Sequence, residues 1–374
     1  MLRNAIAPLD LSDPPRHRVL FLSHTAEGGD FKVGSHHLAR ELSHLGFQVA
    51  HVSTPVSLLH VIAKRGHARK RELALNGGVR DEHGTFHSVP LVALPVQMRS
   101  GARGLRRYLR KIGFWNAELT IVDQPLMGNV LGLLSSGTVV YRPTDEVFGS
   151  AAVRRQEHLL NRVDCVIATS ARVLDALNLD STTPSLVLEN GVEFSRFAGA
   201  PDSFERAGMV YVGALDHRFD WNLIGLVAQI FPEETIRLIG PIGENPPILP
   251  SNIKLLGALP YEQLDKELRR SKVGLLPLNE AAENAGRSPM KYFEYLAAEL
   301  YVVGKATPAL MNRNAPGASL YSEFDGSVDA IRSALAQPNS NWEGRRFAEG
   351  QDWSHKAALL LQFVQETAIG NRHD

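Results

Sequence analysis

Arg18-Val-Leu-Phe-Leu-Ser23, a loop carrying Gly28, Gly29 and Gly34, the stretch Ser35 to Leu45, then Phe47-Gln-Val-Ala-His-Val52: this segment decides the fold class. Its first run is short, apolar and rich in branched and aromatic side chains, the composition of a buried strand. Leu38, Leu42 and Leu45 recur at i, i+4 and i+7, so 35–45 reads as a helix with one apolar stripe, and Gly46 stands where a C-cap belongs. A second apolar run follows at once. Strand, loop, helix, strand builds parallel sheets, because two parallel strands need a crossover long enough to bring the chain back.

The same alternation extends outward. Short apolar runs at Leu119 to Asp123, Thr138 to Arg142, Cys165 to Thr169 and Ser185 to Leu188 read as strands covered on both faces, with helical stretches at Asn129 to Leu134 and Ala151 to Asn161. Phe197-Ala-Gly-Ala-Pro-Asp-Ser203 has the small and breaking residues of a linker. Beyond it a second series begins. Its strands are Gly208 to Val212, Thr235 to Ile239, Ile253 to Leu256, Val273 to Leu276 and Tyr301 to Gly304, separated by helices such as Trp221 to Ile230 and Tyr261 to Arg270. The expectation is an α/β protein of two doubly wound, Rossmann-like domains facing a cleft, residues 1–193 and 194–354, with a C-terminal helix over 355–370 packing back on the first. Ligands of such sheets sit at the carboxyl ends of the strands.

Length and composition agree. The 374 residues, 44% of them hydrophobic, suffice for two cores, and the single Cys cannot form an internal disulfide. Cys165 itself, in an apolar run, reads as a buried hydrophobe. No run of about 18 apolar residues spans a membrane, and Met1 to Arg18 lacks the apolar core of a signal peptide. The 40 Lys+Arg and 40 Asp+Glu cancel, but unevenly along the chain. Residues 1–190 hold 22 basic against 17 acidic side chains, and the remainder 18 against 23. The excess is concentrated between His60 and Lys111, where Glu72, Asp81 and Glu82 are the only acids.

Asn284-Ala-Gly-Arg-Ser-Pro-Met-Lys-Tyr-Phe-Glu-Tyr-Leu-Ala-Ala298 carries the strongest chemical signal. It follows a strand ending in Leu276-Pro277. Ser288 reads as an N-cap, Pro289 as the first helical residue, and Lys291 falls in the first turn. A helix start with a lysine suits a pyrophosphate, neutralised by Lys291, the helix end and Arg287. Glu294, one turn on, faces the same way and can accept hydrogen bonds from a ribose diol. The alternative is an ordinary capped helix with an i,i+3 ion pair.

The pattern Ser-Pro-Met-Lys-x-x-Glu-Tyr-Leu-Ala resembles the nucleotide-binding segment of GT-B glycosyltransferases of the family 4 type. Asn190-Gly-Val-Glu-Phe-Ser-Arg-Phe197, Tyr211-Val-Gly-Ala-Leu-Asp216, Leu238-Ile-Gly-Pro241, Leu256-Gly-Ala-Leu-Pro260 and Asp352-Trp353-Ser354 are similar to further elements of that fold, in order. The resemblance implies a transferase that takes a nucleotide-diphosphate sugar, UDP-linked, at Asn190, Gly191, Gly213, Leu215, Pro277, Arg287, Ser288, Met290, Lys291 and Glu294, with no cofactor and no metal. A narrower similarity is to xanthan-pathway glucuronosyltransferases. Val139-Val-Tyr-Arg-Pro-Thr-Asp145 and Leu22-Ser-His24 carry it, and it implies Asp145 as catalytic base in an inverting reaction, with Ser23, His24 and Arg142 at the acceptor. Glu294 stands where that group has Gln, and Leu278 where it has Tyr. Those two departures lie at the donor and leave its sugar open.

Asp145 also stands on its own chemistry, since attack by an acceptor hydroxyl needs one base at the cleft face. Its alternative role is to cap a helix starting near Val147. His24 is a second candidate base. His36-His37 invites a metal, but no third ligand has suitable spacing. Gly28, Gly29 and Gly34 do not make a dinucleotide fingerprint, and no Gly-Lys-Ser/Thr phosphate loop or Asp-x-Asp metal motif occurs. The basic residues Lys64, Arg65, Arg69, Lys70 and Arg71, then Arg103, Arg106, Arg107, Arg110 and Lys111, interleave with apolar and aromatic ones. That pattern fits an anionic membrane surface, and no nucleic-acid recognition module accompanies it. The expected partners are a nucleotide sugar, a lipid-linked saccharide of exopolysaccharide biosynthesis and the inner, cytoplasmic face of a membrane. A retaining hexosyltransferase or a non-catalytic scaffold of the same fold are the alternatives.

Overall fold

A computed structural model describes residues 17–26, 32–62, 68–197, 205–243 and 246–370. Among these, the chain forms two sheets of doubly wound type. The first runs in the order Ser185–Val187, Cys165–Ala168, Thr138–Tyr141, Leu119–Val122, Arg18–Ser23, Gln48–Ser53, Phe86–Ser88, Val79–Arg80, all parallel save the last edge strand. The second runs Ile253–Gly257, Ile236–Ile239, Met209–Val212, Val273–Leu276, Tyr301–Lys305, Ala318–Tyr321, entirely parallel, which is the 3-2-1-4-5-6 order. Each sheet buries apolar side chains on both faces, as continuous apolar runs require.

Leu38, Ala39 and Leu42 of the helix Gly34–His44 are fully buried against Val19 and Phe21 of the first strand. The chain crosses between halves twice, and the two crossings lie side by side. Val192 and Asp352 form a parallel bridge, Val192 N–H donating to Gln351 O at 3.0 Å and Trp353 N–H to Val192 O at 3.1 Å. The helix Trp353–Gly370 then returns to the first half, where Trp353, Ala357 and Leu360 join the core of Phe21 and Leu38. Burial of Trp353 alone is worth about 3–5 kcal/mol, the cost of truncating such a side chain to Ala.

Two local features differ from the sequence reading. Phe86–Ser88 is a strand of the large sheet, too short and too polar to be recognised by pattern. The helix after Tyr141 begins at Ser150 with Gly149 at its N-cap, so Asp145 caps nothing. Gly28, Gly29 and the linker residues Ala198 to Ser203 lie outside the described residues.

Candidate functional site

A cleft of about 340 Å³ opens where the carboxyl ends of the second sheet meet the start of the helix Gly34–His44. Val212-Gly213-Ala214, Ile239-Gly240-Pro241 and Leu276 line it from three neighbouring strand ends, and Lys32, Val33 and His37 line it from the other half. Close backbone approach makes this possible. A Cβ on Gly240, whose φ is +146°, would lie 1.8 Å from Gly213 O, so only glycine fits. The Tyr211 ring supports the turn by donating to Ala214 O at 3.0 Å, and burial raises its phenol to about 12.

The helix Met290–Ala297 sends Met290, Lys291 and Glu294 into this cleft, and Arg287 enters from the preceding loop. Lys291 Nζ lies 2.5 Å from Glu294 Oε2, with side-chain exposures of 20% and 8%. The pair is therefore accessible on the cation side and largely withdrawn on the acid side. Arg218 adds a further charge, fixed by Asp216. Hydrogen bonding to Asp216, with the charge of Asp145 adding to it, holds the Arg218 guanidinium above its ordinary pKa. Lys32, Arg218, Arg287 and Lys291 thus give one small cleft four cations.

Asp145 is exposed in the loop after Tyr141 and accepts a hydrogen bond from Thr144 Oγ1 at 2.9 Å. Its neighbour Glu146 is held by Arg172 at 3.0 and 3.1 Å, beside Gly286 in the loop before the helix Met290–Ala297. Consecutive acids leaving a strand have separated, and only Asp145 is left without a cationic partner in direct contact. His37 faces the cleft edge-on, its ring stacked on Trp353 at 5.1 Å and 4°. Burial first, then Arg40, His36, Lys32 and Lys291, lower its pKa well below 6.5, so it is a neutral imidazole.

Several residues read from the sequence as ligand contacts are placed elsewhere. Ser288 does not cap the helix; Pro289 holds that position, and the Ser288 hydroxyl, 5% exposed, accepts from Arg313 Nη2 at 2.6 Å. Asn190 donates through Nδ2 to Ser288 O at 2.8 Å and accepts from Arg142 Nη2 at 3.0 Å, so it joins the halves rather than lining the cleft. Gly191 is enclosed by Gln351, Trp353 and Lys356 at that crossing. Leu215 is fully buried core, and Pro277 is buried with its carbonyl taken by Asp220 N–H at 2.9 Å; Leu278 lines the cleft instead. Ser23 and Arg142, both 0% exposed, have no surface to offer an acceptor. They form a buried network with Asp123, in which burial raises the Asp123 carboxyl while Arg142 and the Ser23 and Ser35 hydroxyls oppose the rise. His24 is exposed above this network, with its backbone carbonyl taken by Lys70 Nζ. Gly213, Arg287, Met290, Lys291 and Glu294 do meet in the cleft.

Sequence reasoning gave no ligand role to Lys32, Tyr211 or Arg218, and weighed His37 only as a metal ligand paired with His36. Arg218 was findable: it follows the Gly213 turn within a few residues, where a charge after a strand end points at a ligand. The statement that His36 lacks further ligand partners also needs correction, because His51 and His87 reach it in space.

The basic block divides. Lys64 and Arg65 lie outside the described residues, as does the side chain of Arg69. Lys70 is half-buried and donates to the backbone carbonyl of His24. Arg71 is half-buried. In the helix Arg99–Lys111, Leu105 and Leu109 face the core while Arg103, Arg107, Arg110 and Lys111 are exposed and Arg106 is half-buried, with Arg110 stacked 5.2 Å over Trp115. Leu58, Leu59 and Ile62 of the helix Leu58–Ile62 are exposed by 45, 53 and 79%. No helix among the described residues is long and apolar enough to cross a membrane.

No family model matches the chain. Over 203 residues it is 27% identical to a putative teichuronic acid biosynthesis glycosyltransferase, TuaH, of Bacillus subtilis, an alignment taking in 49% of this chain and 50% of that one. The chain thus spans about half the length of the curated relative it matches. Among solved structures, a glycosyltransferase of Rickettsia africae superposes with a TM-score of 0.66 at 12% identity, covering 94% of this chain and 98% of its own. A UDP-forming α,α-trehalose-phosphate synthase of Burkholderia vietnamiensis gives 0.66 at 12%, covering 96% and 99%. At that identity the likeness is one of fold, and the fold is the two-domain GT-B arrangement these glycosyltransferases share.

Proposed function

We propose that the chain is a glycosyltransferase that moves a sugar from a nucleotide-diphosphate donor to a saccharide acceptor, by inversion, with Asp145 as base. The observation that carries this is the placement of Lys291 and Glu294, one turn apart, in the cleft, with Asp145 of the other half close enough for its charge to act on Arg218, which lines that cleft. Lys291, Arg287 and the helix start meet the diphosphate, and Glu294 meets the ribose diol. Asp145 removes the acceptor hydroxyl's proton as its oxygen bonds to the anomeric carbon. The bond from that carbon to the phosphate oxygen breaks, and the cations stabilise the charge left on the diphosphate without a metal. The relative named for teichuronic acid biosynthesis supports the reaction class.

Arg218 and Lys291 are paired with Asp216 and Glu294, and the further cations Lys32 and Arg287 suit a donor sugar that is itself acidic, glucuronic acid on UDP. The acceptor is a lipid-linked precursor of an exopolysaccharide, brought to the inner, cytoplasmic face of a membrane. Exposed Leu58, Leu59 and Ile62 and the exposed basic face of the helix Arg99–Lys111 support that placement. A panel of UDP- and GDP-sugars, offered with lipid-linked mono- and oligosaccharides and read by mass, tests the reading. Transfer from UDP-glucuronic acid is the expected result; binding of no nucleotide at all would make the protein a scaffold.

A further inference from the structure

We propose that His36, His51 and His87 form a binding site for one divalent transition-metal ion, zinc(II) in kind, beneath the wall that the first half contributes to the cleft. Each residue offers a ring nitrogen, and the three nitrogens lie within 4.8 Å of one another. The residues are 5, 1 and 4% exposed. His51 and His87 are register partners on adjacent parallel strands and so share one face of the sheet. His36 descends on them from the first turn of the helix that covers that face, and ring centroids stand 4.3 Å (His36–His51) and 5.5 Å (His51–His87) apart.

The chemistry of the set fits a cation of borderline softness. His87 Nε2 is held by Asp81 Oδ2 at 2.9 Å and His51 Nε2 by Ser35 Oγ at 3.0 Å. The remaining nitrogens, both Nδ1, are then the ligand atoms, and that of His51 is buried with no hydrogen-bond partner. Asp81 is itself fixed by the N–H groups of His83 and Thr85, at 3.0 and 2.9 Å. A carboxylate behind a ligating imidazole orients the ring and raises its basicity. An all-imidazole set prefers zinc, cobalt or nickel to magnesium or calcium, and three protein ligands leave a fourth position open.

His36 must move on loading. Its ring stacks on His51 at 25°, and Nδ1 accepts the Val33 N–H at 3.2 Å. Stacked rings cannot aim both lone pairs at one ion, so uptake turns the His36 ring, which accepts from Val33. Val33 and His37 line the cleft, and occupancy of the buried site is thereby linked to the shape of its wall.

The test uses the full chain stripped by chelator, with cobalt(II) uptake read by visible absorption and zinc(II) by competition with a chromophoric chelator, in the absence of any nucleotide. One ion per chain is expected. Asp81→Asn, which lies at the surface side of the cluster, should weaken binding about 10–100-fold, and His51→Ala and His87→Ala by more. His44→Gln, in the exposed His44–His83 pair, should change nothing. If the histidine variants do not fold, wild-type stoichiometry and Asp81→Asn decide. No uptake by folded wild type at micromolar metal, or uptake indifferent to Asp81, His51 and His87, overturns the proposal while leaving the transferase reading intact.

Discussion

Glu294→Gln separates the two tasks assigned to the donor helix. In the donor-free protein Lys291 Nζ lies 2.5 Å from Glu294 Oε2, so the cation is already engaged. An arriving diphosphate must share it with a carboxylate of the same sign as itself. A charge-assisted hydrogen bond is worth a net of about 1.5–3 kcal/mol, and Glu294 at 8% side-chain exposure is poorly screened. Replacing the carboxylate by an amide frees Lys291 and removes the repulsion, so inorganic pyrophosphate should bind about three- to tenfold tighter. The same change weakens acceptance from the ribose diol, and UDP should bind about three- to tenfold more weakly. Lys291→Met should weaken both by about 10–100-fold, at 1.4 kcal/mol per factor of ten. Calorimetry at low salt with UDP and pyrophosphate reads all four values. Thermal stability serves as the control, because an i,i+3 pair contributes only about 0.2–0.5 kcal/mol to its helix. Equal shifts for UDP and pyrophosphate in Glu294→Gln would refute the ribose assignment. Unchanged binding of both by Lys291→Met would remove the diphosphate from this helix altogether.

Asp145→Asn keeps shape and removes the base; kcat should fall about 10²–10⁴-fold with donor binding unchanged, and turnover within a few-fold of wild type would exclude the role. Asp352 is burdened by burial, yet hydrogen bonds from Ser354 and the Phe194 N–H outweigh it and hold its pKa below 3.8. A depressed folded pKa contributes stability above the unfolded value that is lost as pH falls below about 4, so the stability gap between wild type and Asp352→Asn should narrow between pH 5 and pH 3 in urea melts. Leu58→Ser, Leu59→Ser and Ile62→Ser together should reduce flotation on anionic vesicles, and so should high salt; equal recovery on neutral vesicles would exclude the electrostatic share.

The fold was legible because its determinants are local. Arg18 to Val52 shows strand, helix and strand through spacing alone, and five such strand ends around Gly213 and Leu276 follow by repetition. The helix Met290–Ala297 was legible for the same reason, since Lys291 and Glu294 are one turn apart in sequence and in space. What stayed hidden depends on segments meeting late. His36, His51 and His87 come from a helix and two strands, one of them only Phe86–Ser88. Ser23 and Arg142 carry the residue types of an acceptor site, but the helix Gly34–His44 and the crossing at Asn190 close over them. A Cβ on Gly34 would stand 2.7 Å from Asn190 and 2.9 Å from Arg142, which shows how tightly that closure fits.

Ser288 shows how a local pattern can misplace a role. Ser-Pro before a helix ordinarily means a serine cap followed by a proline at the first position. Here Arg313 claims the serine hydroxyl at 2.6 Å while pairing Glu189 at 2.7 Å and lying over the rings of Tyr292 and Phe293. The N-cap passes to Pro289, which has no side chain able to accept, and the helix Met290–Ala297 begins without a side-chain cap. Leaving it so costs about 1 kcal/mol relative to a serine cap. The first N–H groups of that helix therefore remain available on the wall where Lys291 and Arg287 stand, and an anion seated there supplies the acceptor that the sequence withholds. On the proposed reading the motif serves a diphosphate because its serine is diverted from capping, and the residue that diverts it lies 25 positions away, beyond the reach of any local pattern.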